Sequence, residues 1–227
     1  MTIGICSLWH NATELLPEFE RLLAPGGWDE CILVDNASDI EARAAYAATA
    51  ERTGCKVLRT AENNVCKGWN EGMAALTTDI RICMANDILM IDPGWVARVA
   101  RDVGPGVMAG LQMRRFIDGT LYLDGSLIAY HALDWERLGG LDEGYTHPGY
   151  VSDVDISWRA QQLGIVFRAF GQPVHHLGNY STQTGGKVHA TWPGNRDRFL
   201  RLKDEAAKKA AGAADGGAPA GGSRGAS

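Results

Sequence analysis

A chain of 227 residues that is 45% hydrophobic and 22% charged suits one globular core and excludes a second full domain. Its net charge of −5 and sequence pI near 5.7 exclude a global basic footprint for nucleic acid or an anionic membrane, though not a local patch. No apolar run approaches the ~18 residues of a membrane span, so integral membrane insertion is not expected.

The first strand expected is "IGICSLW" (3–9), followed by "ECILVD" (30–35), "KVLRT" (56–60) and "IRICMA" (80–85). Helical spacing fills 13–23, 39–53 and 66–77 between them. This alternation predicts an α/β fold, a single Rossmann-like, mostly parallel sheet flanked by helices. Its near-continuous apolar strands fit a sheet covered on both faces. In such sheets ligands sit beyond the carboxyl ends of the strands. Three of those ends carry polar residues: His10-Asn11, Asp35-Asn36-Ala37-Ser38 and Asn86-Asp87. One Asx residue there is commonly a turn former, whereas three on one rim point to a site.

After Trp95 a short helical piece leads to "GVMAGLQMRRF" (106–116) and a hairpin turning at Asp118-Gly119. In "SDVDISWRAQQLG" (152–164), Ser152 suits an N-cap, Asp155 a capping box and Gly164 the helix end. A strand "IVFRAF" (165–170) precedes His175-His176. From residue 205 to 227 the Ala/Gly-rich sequence is too poor in large apolar groups to offset its ordering entropy, so the domain is expected over 1–204 with a disordered tail. The five cysteines (6, 31, 55, 66 and 83) are odd in number and lack a CxxC spacing. Together with a start that lacks a basic n-region and apolar h-region, they lead us to expect a reduced, soluble, cytoplasmic protein. No GxxxxGK[ST] loop or strand-following GxGxxG is present.

Six stretches in order, "VDNASD" (34–39), "ENNVCKGWNEGMAAL" (62–76), "MANDILMIDPGW" (84–95), "LGGLDEGY" (138–145), "SDVDISWRAQQLG" (152–164) and "HLGNYST" (176–182), resemble the inverting glycosyltransferases of the GT-A fold, family-2 type. They are similar to bacterial rhamnosyl- and other sugar-nucleotide transferases, and the likeness runs over about residues 2–203. The resemblance implies that Asp35 hydrogen-bonds the nucleotide base while Asn36 and Ser38 shape the turn around it. His10, Asn11 and Asn86, on the same rim, join the donor site, with Lys67 toward a phosphate and Asn70 at the end of the family's helix pattern.

The resemblance further implies that Asp87 binds a divalent cation, Mn²⁺ or Mg²⁺, bridging the diphosphate of a nucleotide-diphosphate sugar donor. His176 is the implied second metal ligand, with His175 as its neighbouring alternative. Asp153 is the implied base that deprotonates the acceptor hydroxyl. Residues two apart on a helix project about 200° from one another, so Asp155 turns away to cap the helix or orient a neighbour. Asp142, Glu143 and Tyr145 fall on the acceptor side, with Trp135, His147 and Tyr150 offering flat faces to sugars or bases. The acceptor is left open among glycan, protein and modified nucleic acid. The basic run Arg196, Arg198, Arg201 and Lys203, with Lys187 upstream, reads as a solvated helix face. Asp92 reads as a turn residue.

Ala85 stands where a first metal carboxylate would be, as in many relatives of this type, which leaves Asp87 to coordinate the metal. The chain departs from the family where Glu62 and Asn64 replace Asn and Gly and where Ser152 replaces Glu. These two departures keep a second expectation open, a nucleotide-sugar-binding module of the same fold with little or no turnover. A sugar-1-phosphate nucleotidyltransferase is disfavoured because "SLWHNATEL" replaces the Gly-rich loop expected after the first strand.

Overall fold

The computed structural model describes residues 1–145, 149–177 and 188–215; His147, Gly178, Ser181, Lys187 and the tail from 216 lie outside them. In chain order the elements are β1 (Ile3–Trp9), a 3-10 turn (Thr13–Leu15), α1 (Leu16–Leu23), β2 (Glu30–Asn36), α2 (Ile40–Thr53), β3 (Lys56–Thr60), α3 (Val65–Ala74), β4 (Ile80–Ala85) and β5 (Ile88–Met90). Then come α4 (Trp95–Arg101), β6 (Val107–Gly110), β7 (Met113–Arg115), β8 (Leu121–Leu123), β9 (Leu127–His131), α5 (Ala132–Leu138), α6 (Ser152–Gln162), β10 (Val166–Ala169), β11 (Val174–His176) and α7 (Val188–Asp215).

Seven strands form one sheet in the order β10-β6-β9-β4-β1-β2-β3. Its neighbours are parallel except for β9, which runs antiparallel between β4 and β6. Alternate residues of each strand feed two cores. Ile5, Leu33, Ile80, Ile82 and Met84 pack beneath α1, α2 and α4, where Trp9 meets Phe19 and Tyr46 edge to face. Cys6, Val34, Cys83 and Ile128 pack on the other face with α3, α5, α6 and Phe199 of α7.

Asp39 caps α2 by accepting from Ala42 N–H, and Gly54 ends it at φ 79°. Two glycines let α3 lie close on the sheet. A Cβ at Gly72 would come within 2.5 Å of Cys6 Sγ and Val34, and one at Gly68 within 2.5 Å of Leu8 and 3.0 Å of the Asn36 side chain. The start of α3 thereby stays next to the end of β2, which holds this part of the rim together.

Several expectations change. Asn64, where the family has Gly, sits at φ −127° and caps α3, its side chain accepting from Lys67 N–H. Ser152 is the first helical residue of α6 rather than its cap, and Val151 holds the cap position at φ 77°. A β-branched residue in the left-handed region is strained by about 1–3 kcal/mol, here two residues before Asp153. Helix α7 extends to Asp215, so order persists beyond residue 205. All five cysteines are buried and free, and none of the described helices is long and apolar enough to cross a membrane.

Candidate active site

The polar residues at the ends of β1, β2 and β4 gather on one rim, as the strand order requires. At its β2–β3 end, Asp35 is 2% exposed; one oxygen accepts from Ser38 N–H at 2.9 Å and the other meets Arg59 at 2.7 Å. Arg59 stands directly across the parallel ladder from Asp35. Sequence reading missed this cation, whose only signal was a lone arginine at the matching height of the edge strand. Asn11, at φ 52°, accepts from Asp39 N–H, while its own N–H donates to the Ser38 hydroxyl. The His10 ring lies 2.9 Å from the Asn36 carbonyl oxygen. Asn36 is buried against Asn63 and the Thr60 hydroxyl. His10, Asn11, Asp35, Asn36 and Ser38 are therefore brought together.

Lys67 points instead to Glu62, at 2.6 Å. Asn70 is not directed at a donor: its amide accepts from Leu141 N–H at 2.8 Å and donates to Leu141 carbonyl and to Glu143, both at 2.9 Å. It clamps the 138–145 loop onto α3. Two arginines clamp the same loop. Arg159 donates to the carbonyls of Leu138 and Gly140 while pairing with Asp155 at 2.9 Å, and Arg198 grips Asp142 at 2.7 Å beneath the loop. Tyr145 is 2% exposed, with the Arg198 guanidinium over its ring. Asp142 and Tyr145 thus anchor the loop through Arg198, which grips the carboxylate and covers the ring. Glu143, held by Asn70, stays near the surface.

The centre of the rim is built by a small ribbon. β11 runs antiparallel to β5 with His176 opposite Ile88, next to Asp87, and Leu177 N–H donates to the Asp87 carbonyl at 3.0 Å. This register sets His176 Nε2 3.1 Å from Asp87 Oδ1, while His175, on the opposite face, is exposed. Burial opposes a charge on the His176 ring, yet the Asp87 carboxylate, with Asp124 further off, raises its proton affinity on balance. Asn86 is half-buried beside the pair. Asp92 is the turn residue expected, accepting from Gly94 N–H and pairing with Arg98.

The residues fit a divalent cation. Two ligands each roughly 2.1 Å from an ion and at adjacent positions lie about 3 Å apart, the separation observed between the carboxylate oxygen and the imidazole nitrogen. A carboxylate–imidazole set suits Mn²⁺ better than Mg²⁺. The described residues contain no group of three or more His, Cys, Asp or Glu side chains placed to hold a metal, so a cation held by this pair would need phosphate oxygens or water to complete its shell.

Asp153 opens α6 on the far side. Its Oδ2 accepts from Gly125 N–H at 3.1 Å and Oδ1 from Val154 N–H at 2.9 Å, with no cation bonded to it among the described residues. Burial, then the charge of Asp124, push its pKa up to about 6 despite those N–H groups. Asp124, which pairs with Arg114 at 2.9 Å, acts on both His176 and Asp153. It was hidden in the sequence because "LYLDGS" reads as hairpin. Asp155, two residues on, faces the opposite way, as expected, and orients Arg159. Trp69 and Leu141 line a small cavity with Asp153 and Gly125, where the indole N–H has no hydrogen-bond partner.

Neither a known family profile nor a curated protein matches the sequence. Solved structures do match. The 1–349 fragment of S. aureus TarS in complex with UDP superposes with TM-score 0.53 at 12% identity over 70% of this chain and 55% of its own. Glucosyl-3-phosphoglycerate synthase from Mycobacterium tuberculosis, in complex with Mn²⁺, UDP and phosphoglyceric acid, matches with TM-score 0.56 at 18% identity over 86% and 78%. The chain has the GT-A fold. A nucleotidyl transferase from Methanothermobacter shares it at 14% identity and TM-score 0.54, over 88% and 99% of the two chains. The chain spans 33% of the longer TarS structure and 55% of its fragment.

Proposed function

We propose that the chain is a metal-dependent, inverting glycosyltransferase that moves a sugar from a nucleotide-diphosphate donor to an acceptor hydroxyl. One observation carries this reading: β5, β11 and α6, distant in sequence, bring a carboxylate–imidazole pair and a half-buried, cation-free carboxylate to one rim of a GT-A fold. The complexes of neighbouring structures with UDP, and in one case Mn²⁺, support it.

Asp87 and His176 would hold the cation, which when bound neutralises the charge developing on the departing diphosphate. At the β2–β3 end, Asp35, Asn36 and Ser38, braced by Arg59, would receive the nucleoside. Asp153 would take the proton of the attacking hydroxyl. A pKa of about 6 leaves it mostly ionised at pH 7 yet far more basic than an ordinary aspartate, as a general base requires. Backbone N–H groups of Gly125 and Val154 fix its orientation without quenching it as a cation would.

The shared fold of a nucleotidyl transferase brings in a second reading. It is disfavoured because β1 exits through His10-Asn11-Ala12 into a 3-10 turn, without the glycines that expose backbone N–H groups to a triphosphate. The test is to incubate the full chain with UDP-, GDP- and dTDP-sugars plus Mn²⁺ and measure nucleoside diphosphate release. Release that is abolished by Asp87→Ala supports the transferase. Nucleotide-sugar binding without release on any donor or acceptor would instead identify a binding module.

A further inference from the structure

Arg81, at the start of β4, is outside the machinery described above and is anomalous. Its side chain is only 10% exposed, and the guanidinium makes no hydrogen bond among the described residues. Its Nε is buried without a partner, and its ion-pair partner, Glu136, stays 3.7 Å away on a side chain 62% exposed. A guanidinium carries five N–H donors, and a buried one ordinarily satisfies most of them. Here they border a groove of about 460 Å³ between α3 and α5, within the roughly 300–1,000 Å³ range of small-molecule sites. Asn70, Trp135, Glu136, Gly140 and Glu143 are among its other lining residues.

The charge balance selects the ligand. Among the lining side chains Arg81 is the one cation beside two carboxylates, Glu136 and Glu143, so an anionic ligand is disfavoured. A neutral molecule with adjacent hydroxyls satisfies both signs, accepting from the guanidinium and donating to the carboxylates. The groove also starts at the 138–145 loop, where Asn70 holds Glu143, and Asn70 directly follows Trp69 of the cavity beside Asp153.

We propose that the α3–α5 groove binds a neutral saccharide through Arg81 and Glu136. Its role as the seat of a distal unit of a glycan acceptor rests on the transferase reading; the binding itself does not. The test uses the full chain with maltotriose, cellotriose and chitotriose as neutral probes and inorganic phosphate as the anionic one, followed by saturation-transfer NMR and calorimetry. At least one trisaccharide binds, and Arg81→Met and Glu136→Gln each weaken it about tenfold or more, with donor hydrolysis unchanged. Glu136 is on the surface, so its variant reports on the groove even if Arg81→Met fails to fold. Three results overturn the proposal: no trisaccharide binds, affinity is unaltered by Glu136→Gln, or phosphate occupies the groove in an Arg81-dependent way. Saccharide binding with no turnover of any nucleotide sugar would keep the groove and sink the transferase reading, and turnover without saccharide binding would do the reverse.

Discussion

At the β2–β3 end of the rim the Asp35 carboxylate is met by a guanidinium and a backbone N–H, whereas at the α6 end Asp153 faces another carboxylate, Asp124. Both groups sit in low-dielectric surroundings, yet only the first has its charge neutralised. A fold selected for stability alone would pair both. On the proposed mechanism the unpaired end is where a proton would move, and Val151, two residues before Asp153, is held in a strained conformation as well. The same contrast recurs within one helical turn, since Asp155 has Arg159 and Asp153 has no cation bonded to it among the described residues.

The largest expected break in this contrast is Asp153→Asn. Transfer falls by roughly 10²–10⁴-fold, the usual contribution of a general base, measured as nucleoside diphosphate release with acceptor. The same variant is more stable. The native pKa of about 6 lies above the 3.8 of an ordinary aspartate, so stability from protonated Asp153 is full below pH ~4 and is lost as pH rises to about 6. Above that, burial of the charge costs up to about 3 kcal/mol, and thermal unfolding at pH 7 against pH 4 reads the difference. A variant that is less active and no more stable at pH 7 breaks the comparison.

Arg159→Met attacks the paired partner. It leaves Asp155 buried without its cation and frees the Leu138 and Gly140 carbonyls, so stability falls by about 3 kcal/mol, read by chemical denaturation. Arg59→Gln at the donor end, where the guanidinium is 36% exposed, costs about 1 kcal/mol and weakens nucleotide affinity more than it lowers the rate of transfer. Smallest is Ala37→Gly. With φ 57° at this position, glycine relieves left-handed strain and raises stability by up to about 1 kcal/mol, offset by its greater unfolded-state freedom.

How much of this was legible in the sequence follows from range. β1 to β4 and the first three helices are contiguous apolar or periodic runs, and β1, β3 and β4 begin and end where the pattern says. β9 and α5 were not foreseen, because "LIAYHALDWERL" mixes a short apolar run with a helix whose cap is the His131 ring. β5 and β11 are three residues each and exist only because they pair with one another. The Asp87–His176 contact thus depends on a pairing of segments with weak local signals, and only the family resemblance suggested it. The loop-holding contacts of Asn70 and Asp142 were hidden for a different reason. Polar or aromatic type in a motif does not tell whether a side chain holds a loop, and the clamps on residues 138–144 come from α3, α6 and α7, which are distant in sequence.

The account's central claim is that the cation-free carboxylate at the start of α6 moves the proton. The pH dependence of kcat/KM for transfer tests it most directly, with Asp124→Asn alongside the parent chain. Ionised Asp153 is the active form, so activity rises with pH through about 6, and removing the neighbouring charge of Asp124 moves that rise to lower pH. An acidic limb that stays in place in Asp124→Asn, or persists in Asp153→Asn, would contradict it.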